Sequence, residues 1–190
     1  MANVEENINN IIGLYINYGK EDYIGEELTQ LEHMTKAAML AEQQTNDINL
    51  ILGAFLHDIG HLLEHLQIND KMGNYGVLNH ELLGERFLLD NNIQYPVTEY
   101  VKKHVDTKRY LVYKKPEYYN KLSEASKKTL EYQGGPMNKN EALIFEDDPL
   151  FENHMKMRYF DDNSKNVKLK LKDLEYYKHM LISYFNINLK

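Results

Sequence analysis

The sequence contains no cysteine among its 190 residues. That removes disulfides, thiolate nucleophiles and Cys-ligated zinc or iron–sulfur sites, so any metal must be held by imidazoles and carboxylates. Positive charge is scarce as well. Lys and Arg total 22 against 29 Asp and Glu, for a net charge of −7. No basic surface argues for nucleic acid or for an anionic membrane as partner. Long apolar runs are missing: none approaches the ~20 residues of a membrane span. The N-terminus, Met1-Ala2-Asn3-Val4-Glu5-Glu6, is acidic and lacks the apolar core of a signal peptide. The expectation is a cytoplasmic monomer acting on a small molecule, with residues 1–190 forming one domain.

Only four prolines and ten glycines punctuate the chain, which leaves long helical patterns intact. Val4, Ile8, Ile11, Ile12 and Tyr15 recur at helical spacing, so residues 4–18 read as an amphipathic helix. Thr29 with Glu32 forms a capping box for a second helix, and Asp47 caps a third that is predicted to end near Gly60. Residues 64–78 read as irregular, with a turn at Gly73-Asn74-Tyr75-Gly76. Helices follow from about Asn79 with Leu82, Leu83 and Phe87 on its face, after Pro96, from about Ser123 to Tyr132, over Glu141–Phe145 and Pro149–Phe160, and from Leu174 to Tyr184. No segment alternates with the period of a strand. The predicted fold class is all-α.

What stands out against this background is Leu56-His57-Asp58-Ile59-Gly60-His61. An imidazole and a carboxylate side by side at the end of an apolar run are a poor choice for packing. Adjacent helical residues point about 100° apart, so one helix end can offer a ring nitrogen to one ion and a carboxylate beside it. A carboxylate, with two oxygens, can bridge two ions. His33, His80, His104 and Asp161 are each placed by the pattern at or near a helix end. If they converge, one ion takes His33, His57, Asp58 and Asp161, and a second takes Asp58, His80 and His104. Such a donor set suits Fe, Mn, Zn or Ni. Its excess of neutral imidazole leaves the site net positive, favours lower iron oxidation states and suits an anionic substrate. His65, His154 and His179 fit no pattern and read as surface residues.

The H…HD…D series of His33, His57-Asp58 and Asp161 resembles the HD-domain superfamily, a helical bundle around metals whose members are mostly phosphohydrolases. His80 and His104 resemble its dinuclear branch. A narrower similarity runs through Asp22-Tyr23-Ile24-Gly25-Glu26, Gln30-Leu31-Glu32-His33, the His57-Asp58 segment, Tyr75-Gly76-Val77, Lys108-Arg109-Tyr110-Leu111-Val112, Leu122-Ser123-Glu124-Ala125-Ser126 and Thr129-Leu130-Glu131-Tyr132-Gln133-Gly134-Gly135-Pro136-Met137. These resemble the glycine-forming (2-amino-1-hydroxyethyl)phosphonate dioxygenases, mixed-valence diiron oxygenases related in chemistry to myo-inositol oxygenase.

The resemblance implies two irons, Fe(II) and Fe(III), on His33, His57, Asp58, His80, His104 and Asp161, with O2 as cosubstrate. It implies that Tyr23 fills an open coordination position at rest, assisted by Glu26, until substrate displaces both. It implies that His61, Lys108, Ser126 and Gln133 receive the phosphonate and hydroxyl oxygens. The reaction implied is oxidative cleavage of the C–P bond of a 1-hydroxyalkylphosphonate. From (R)-2-amino-1-hydroxyethylphosphonate it gives glycine and phosphate. Read without the resemblance, Lys108 shares a helix face with His104, while Ser126 and Gln133 fit equally well as a helix residue and a helix terminator. Arg158, three residues before Asp161, suits either a support for that carboxylate or a surface ion pair. Two other functions use the same residues: a metal-dependent phosphohydrolase acting on a phosphate ester, and a non-catalytic phosphonate sensor. Glu26 beside the gate favours a cationic side arm on the substrate.

Overall fold

A computed structural model describes residues 2–23, 25–66 and 71–188. Ile24, in one of the resembling segments, and 67–70, in the irregular stretch, lie outside the described residues, as do Met1, Leu189 and Lys190. The described residues form ten α-helices and no strand. In order they are α1 (Ala2–Tyr18), α2 (Gln30–Gln44), α3 (Ile48–Leu56), α4 (His80–Asp90), α5 (Val97–Lys114), α6 (Pro116–Tyr119), α7 (Glu124–Tyr132), α8 (Lys139–Glu146), α9 (Phe151–Ser164) and α10 (Leu174–Asn188). A 3₁₀ helix, Ile59–His65, follows α3.

The core forms around α3. From Leu50 to Leu56 every residue of that helix is buried, as a helix apolar on all sides must be. Packed on it are α2, α5, α9 and α10. The amphipathic face of α1 adds Ile8, Ile11, Ile12 and Tyr15 to the same core, and Tyr15 stacks on Phe55 with ring centroids 4.6 Å apart. The caps expected from sequence are made. Thr29 and Glu32 exchange hydrogen bonds of 3.2 and 2.8 Å, and Asp47 accepts from the Asn49 amide. Ser123, read only as a helix start, also caps by accepting from the Ser126 amide. Each satisfies an amide that a helix start leaves unpaired.

Several expectations need correcting. The third helix stops at Leu56, not at Gly60. Asp58 leaves helical geometry (φ −103°, ψ 13°) and the chain tightens into the 3₁₀ helix. This break lets His57 and Asp58 face one cluster, which adjacent residues of a straight helix could not do so well. Gly60 instead permits contact: a Cβ there would lie 1.9 Å from the His80 carbonyl oxygen. The buried line of α4 is His80, Gly84 and Leu88, while Leu82 is exposed. His104 sits in the middle of α5, and Asp161 lies inside α9, which runs on to Ser164. His154 is buried rather than on the surface. Its ring lies against Phe145 and Tyr100, 3.4 Å from an oxygen of Asp148.

Candidate metal centre

Five elements bring their donors to one point. His33 comes from the first turns of α2, His57 and Asp58 from the break after α3, His80 from the start of α4, His104 from α5 and Asp161 from α9. All six are buried. His33 Nε2 and His57 Nε2 are 3.0 Å apart. Each lies 3.3 Å from Asp58 Oδ2, and they lie 3.4 and 3.9 Å from Asp161 Oδ1. On the other side, His80 Nε2 and His104 Nε2 are also 3.0 Å apart, and they lie 3.4 and 3.2 Å from Asp58 Oδ1. Ligands about 2.1 Å from a metal stand about 3 Å from one another when adjacent in its shell, the spacing seen in both sets. Asp58 presents one oxygen to each.

The hydrogen bonds behind these donors decide what they can bind. Nδ1 of His57, His80 and His104 faces the carbonyl three residues earlier, of Ala54, Val77 and Val101, at 2.9, 3.2 and 2.6 Å. A carbonyl accepts only, so each Nδ1 donates and each Nε2 presents a lone pair. Ser164 Oγ donates to the Asp161 carbonyl at 2.7 Å and accepts from His33 Nδ1 at 2.8 Å, with the same result. Two pairs of lone pairs facing each other at 3.0 Å repel unless a cation or proton lies between them. This outer hydrogen bonding is the pattern of metal-ligating histidine. Arg158 Nη1 donates to Asp161 Oδ2 at 2.8 Å and, with Arg158 also bound to Asp162, turns Asp161 Oδ1 inward, where it is buried with no hydrogen-bond partner. The donor set therefore fits metal ions.

The charges respond accordingly. Burial opposes ionisation of Asp58, but the charge of His57, then the close imidazoles of His104 and His33, hold its carboxyl well below the usual range. Burial acts likewise on Asp161, and Arg158 and His33 reverse it. Burial disfavours the His57 cation, yet Asp58, Asp161 and the Ala54 carbonyl together outweigh it and lift the imidazole to about 9. Burial, then the charges of Asp58 and Asp161, keep the Tyr23 phenol protonated, well above its ordinary value. A bound cation inverts that last effect.

A cavity of about 50 Å³ lies over the donors. Its lining includes Tyr23, Glu26, His61, Lys108, Ser126 and Gln133, together with Asp58, His80, His104 and Asp161. Tyr23 stacks on His33, ring centroids 4.0 Å apart. His61 stacks on His80 at 3.9 Å and is near enough to Asp58 and His80 to join a metal shell. Its Nδ1, however, accepts from the Val77 amide at 3.3 Å. The neutral ring therefore carries its hydrogen on Nε2, the opposite of the four other histidines, and can donate to an oxyanion. Burial and then His80 keep that ring neutral by pushing its pKa well down. Gly76, at φ +94°, makes room for it: a Cβ there would sit 2.7 Å from the His61 ring. Lys108 is buried, with Nζ donating to Thr129 Oγ1 at 2.9 Å. Burial, then Arg158, lower its ammonium to about 7.

Sequence reasoning missed several residues here. Lys165 lines the cavity and donates to Ser126 Oγ at 2.9 Å. Thr129 and Gln30 line it too, and Ser164 supports His33 from behind. Gln30 and Thr129 stood inside resembling segments, a signal that was available. Ser164 and Lys165 sit in Asn163-Ser164-Lys165-Asn166, which reads as a solvated helix end and gave none. Among buried side-chain oxygens without a partner, those of Glu26, Gln30, Gln133 and Asp161 all face this one cavity.

Comparison with known proteins agrees with this picture. A family model described as HD domain matches residues 31–146. The chain is 47% identical over 186 residues, covering 98% of this chain and 85% of the relative, to an uncharacterized protein, L432, of Acanthamoeba polyphaga mimivirus. It is 37% identical over 172 residues, covering 89% and 85%, to a [1-hydroxy-2-(trimethylamino)ethyl]phosphonate dioxygenase (glycine-betaine-forming) of Leisingera caerulea. It is 36% identical over 174 residues, covering 90% and 85%, to a hydroxymethylphosphonate dioxygenase of Gimesia maris.

Proposed function

This chain belongs to the HD-domain phosphonate dioxygenases, and on that premise we propose that it oxidises (R)-2-amino-1-hydroxyethylphosphonate with O2 to glycine and phosphate. The observation that carries the dinuclear reading is Asp58, whose two oxygens each face a separate pair of histidine Nε2 atoms. In this reading His33, His57, Asp58 and Asp161 hold one iron and Asp58, His80 and His104 the other, with Tyr23 as a further ligand at rest. Bound iron, as the mixed-valence pair, would supply activation of O2 and a Lewis-acid anchor for substrate oxygens.

The chain's own residues do the rest. Lys108 and the Nε2–H of His61 bind the phosphonate, as a cation and as a neutral donor. Ser126 and Gln133 hold its remaining oxygen and the C1 hydroxyl. Together they orient the C1–H bond. Tyr23 and Glu26 cover the donors until substrate replaces them, so an empty site does not spend oxidant. All the proposed ligands come from this one chain, so a monomer suffices, and we assign the whole chain to one HD-domain unit.

The choice of an amino arm rests on the cavity's unpaired acceptors. Glu26 and Gln30 offer buried oxygens that lack a donor. A primary ammonium brings three N–H groups; a trimethylammonium brings none and is held instead by aromatic cages. The aromatic side chains in this wall are Tyr23 and Tyr75, and Tyr23 is already stacked on His33. No described helix is long and apolar enough to cross a membrane.

The test is to supply iron-loaded protein with the amino, trimethylammonium and hydroxymethyl substrates, each with and without O2. Oxygen-dependent glycine and phosphate formation, fastest with the amino substrate, is expected. Undiminished phosphate release from a phosphate ester without O2 would make the protein a phosphohydrolase.

A further inference from the structure

A second cavity, of about 550 Å³, adjoins the one over the metal centre. Glu26, Ser126 and Lys165 appear in the walls of both. The rest of its lining is mostly polar, with Lys121, Ser123, Asp162 and Asn163 beside Tyr118 and Leu122. Glu26, Ser126 and Lys165 thus stand between this second chamber and the donors.

Lys165 caps α9, four residues beyond Asp161. Its ammonium donates to Ser126 Oγ at 2.9 Å, lies 3.5 Å from Glu26 Oε1 and 5.5 Å from the centre of the Tyr23 ring. The two charged side chains are only 10% and 15% exposed. Glu26 Oε1 nevertheless makes no hydrogen bond. Lys165 is therefore in contact with both residues of the turn that covers the metal cavity, through a charge pair that is buried but imperfectly satisfied.

We propose that Lys165 is a positioning residue that latches the 19–28 loop over the metal cavity by pairing with Glu26. An oxyanion reaching this shared wall takes Lys165 from Glu26 and so opens the loop. The proposal rests on reading the cavity as a phosphonate site. A phosphonate dianion offers Lys165 more charge than a carboxylate and three oxygens placed for charge-assisted hydrogen bonds. Ser126, already bonded to Lys165, is one of the groups assigned to that anion. Once Lys165 turns to the anion, Glu26 is a partly buried carboxylate with no partner, a costly state that ends when the loop shifts to bring Glu26 to the ammonium of an amino substrate or, for an anion without one, to water. Tyr23, three residues away, moves with it. Lys108, on α5, donates to Thr129 of α7, three residues after Ser126, and holds the anion after entry.

The test is amide hydrogen exchange in the 19–28 loop of metal-loaded protein. It is followed with no anion, with saturating inorganic phosphate, and with hydroxymethylphosphonate in the absence of O2. Wild type should exchange about three- to fivefold faster in this loop with either anion, the factor that an ion pair of this burial is worth. Lys165→Met and Glu26→Gln should exchange fast without any anion, and Lys165→Arg should restore protection. Metal content should stay at the wild-type level in Lys165→Met, with KM for the phosphonate raised. A loop equally protected in Lys165→Met and wild type, or a wild-type loop indifferent to both anions, would overturn the latch. The same preparations are assayed for oxygen-dependent phosphate release. An inactive wild type whose loop responds to the anions sinks the proposed function and spares the latch. An active one whose loop ignores Lys165→Met does the reverse.

Discussion

His33 Nε2 and His57 Nε2 face each other across 3.0 Å with the hydrogen of each ring committed to its other nitrogen. The arrangement is repulsive unless a proton or a metal cation lies between the two nitrogens, and a metal ion satisfies both rings at once. Removing metal with a chelator is therefore expected to lower the melting temperature, and adding back Fe(II) or Mn(II) to restore it, because an ion that binds only the folded chain stabilises it by mass action. Identical melting curves with and without chelator would contradict the fit of these donors to metal.

Ser164 is expected to matter to metal although it touches none. It accepts from His33 Nδ1 while donating to the Asp161 carbonyl, which fixes the tautomer and the aim of one ring. Ser164→Ala should weaken metal binding by about 10–100-fold, as loss of such outer partners does. A competition titration against a chromophoric chelator measures it. Unchanged affinity would mean that α2 alone orients His33.

Lys108 carries a pH signature. Its folded value of about 7 lies below the ordinary lysine value of about 10.4. Between those values the unfolded chain binds more protons, so this group's contribution makes stability rise with pH through that window. In the proposed role, phosphonate binding runs the other way, since it would need the cation. KM is expected to climb as pH rises above about 7, by up to about tenfold per unit. Lys108→Met should raise KM, flatten that climb and raise the melting temperature most at pH 7 and below. Activity profiles and thermal melts from pH 6 to 9 test both signs. A Lys108→Met profile parallel to wild type would refute the role.

Gly60 holds the second histidine pair in place. Because a Cβ there would meet the His80 carbonyl at 1.9 Å, Gly60→Ala must push the start of α4 away. The expected cost is about 1–3 kcal/mol of stability, the usual range for overpacking, together with weakened metal binding at His80 and His104. Denaturant unfolding and metal analysis check it. A variant as stable as wild type would show that α4 shifts freely.

The helices and the six metal donors were readable from local chemistry, while Tyr23, Glu26, His61, Lys108, Ser126 and Gln133 were marked by the family resemblance. Capping residues, apolar periodicity and the adjacent His57 and Asp58 are short-range signals, and they placed α1, α2, α7 and the start of α3 well, though not the end of α3. What was not readable depends on contacts between distant segments. Ser164 meets His33 across 131 residues of chain, and Lys165 joins the site only because α9 runs past Asp161 against the 19–28 loop. His154 was expected at the surface because nothing local marks it. It is buried because Phe145 and Tyr100 close over it. His104 was grouped with donors at helix ends, yet α5 carries it in mid-helix, where the long buried face of that element turns it inward.

The central claim is that two ions sit astride Asp58. A crystal of iron-loaded protein, with anomalous scattering recorded at the iron edge, tests it directly. The account predicts two iron peaks about 3.5–4 Å apart, one against His33, His57 and Asp161 and the other against His80 and His104, with an Asp58 oxygen on each. A single peak, or a second that does not touch His80 and His104, would contradict it.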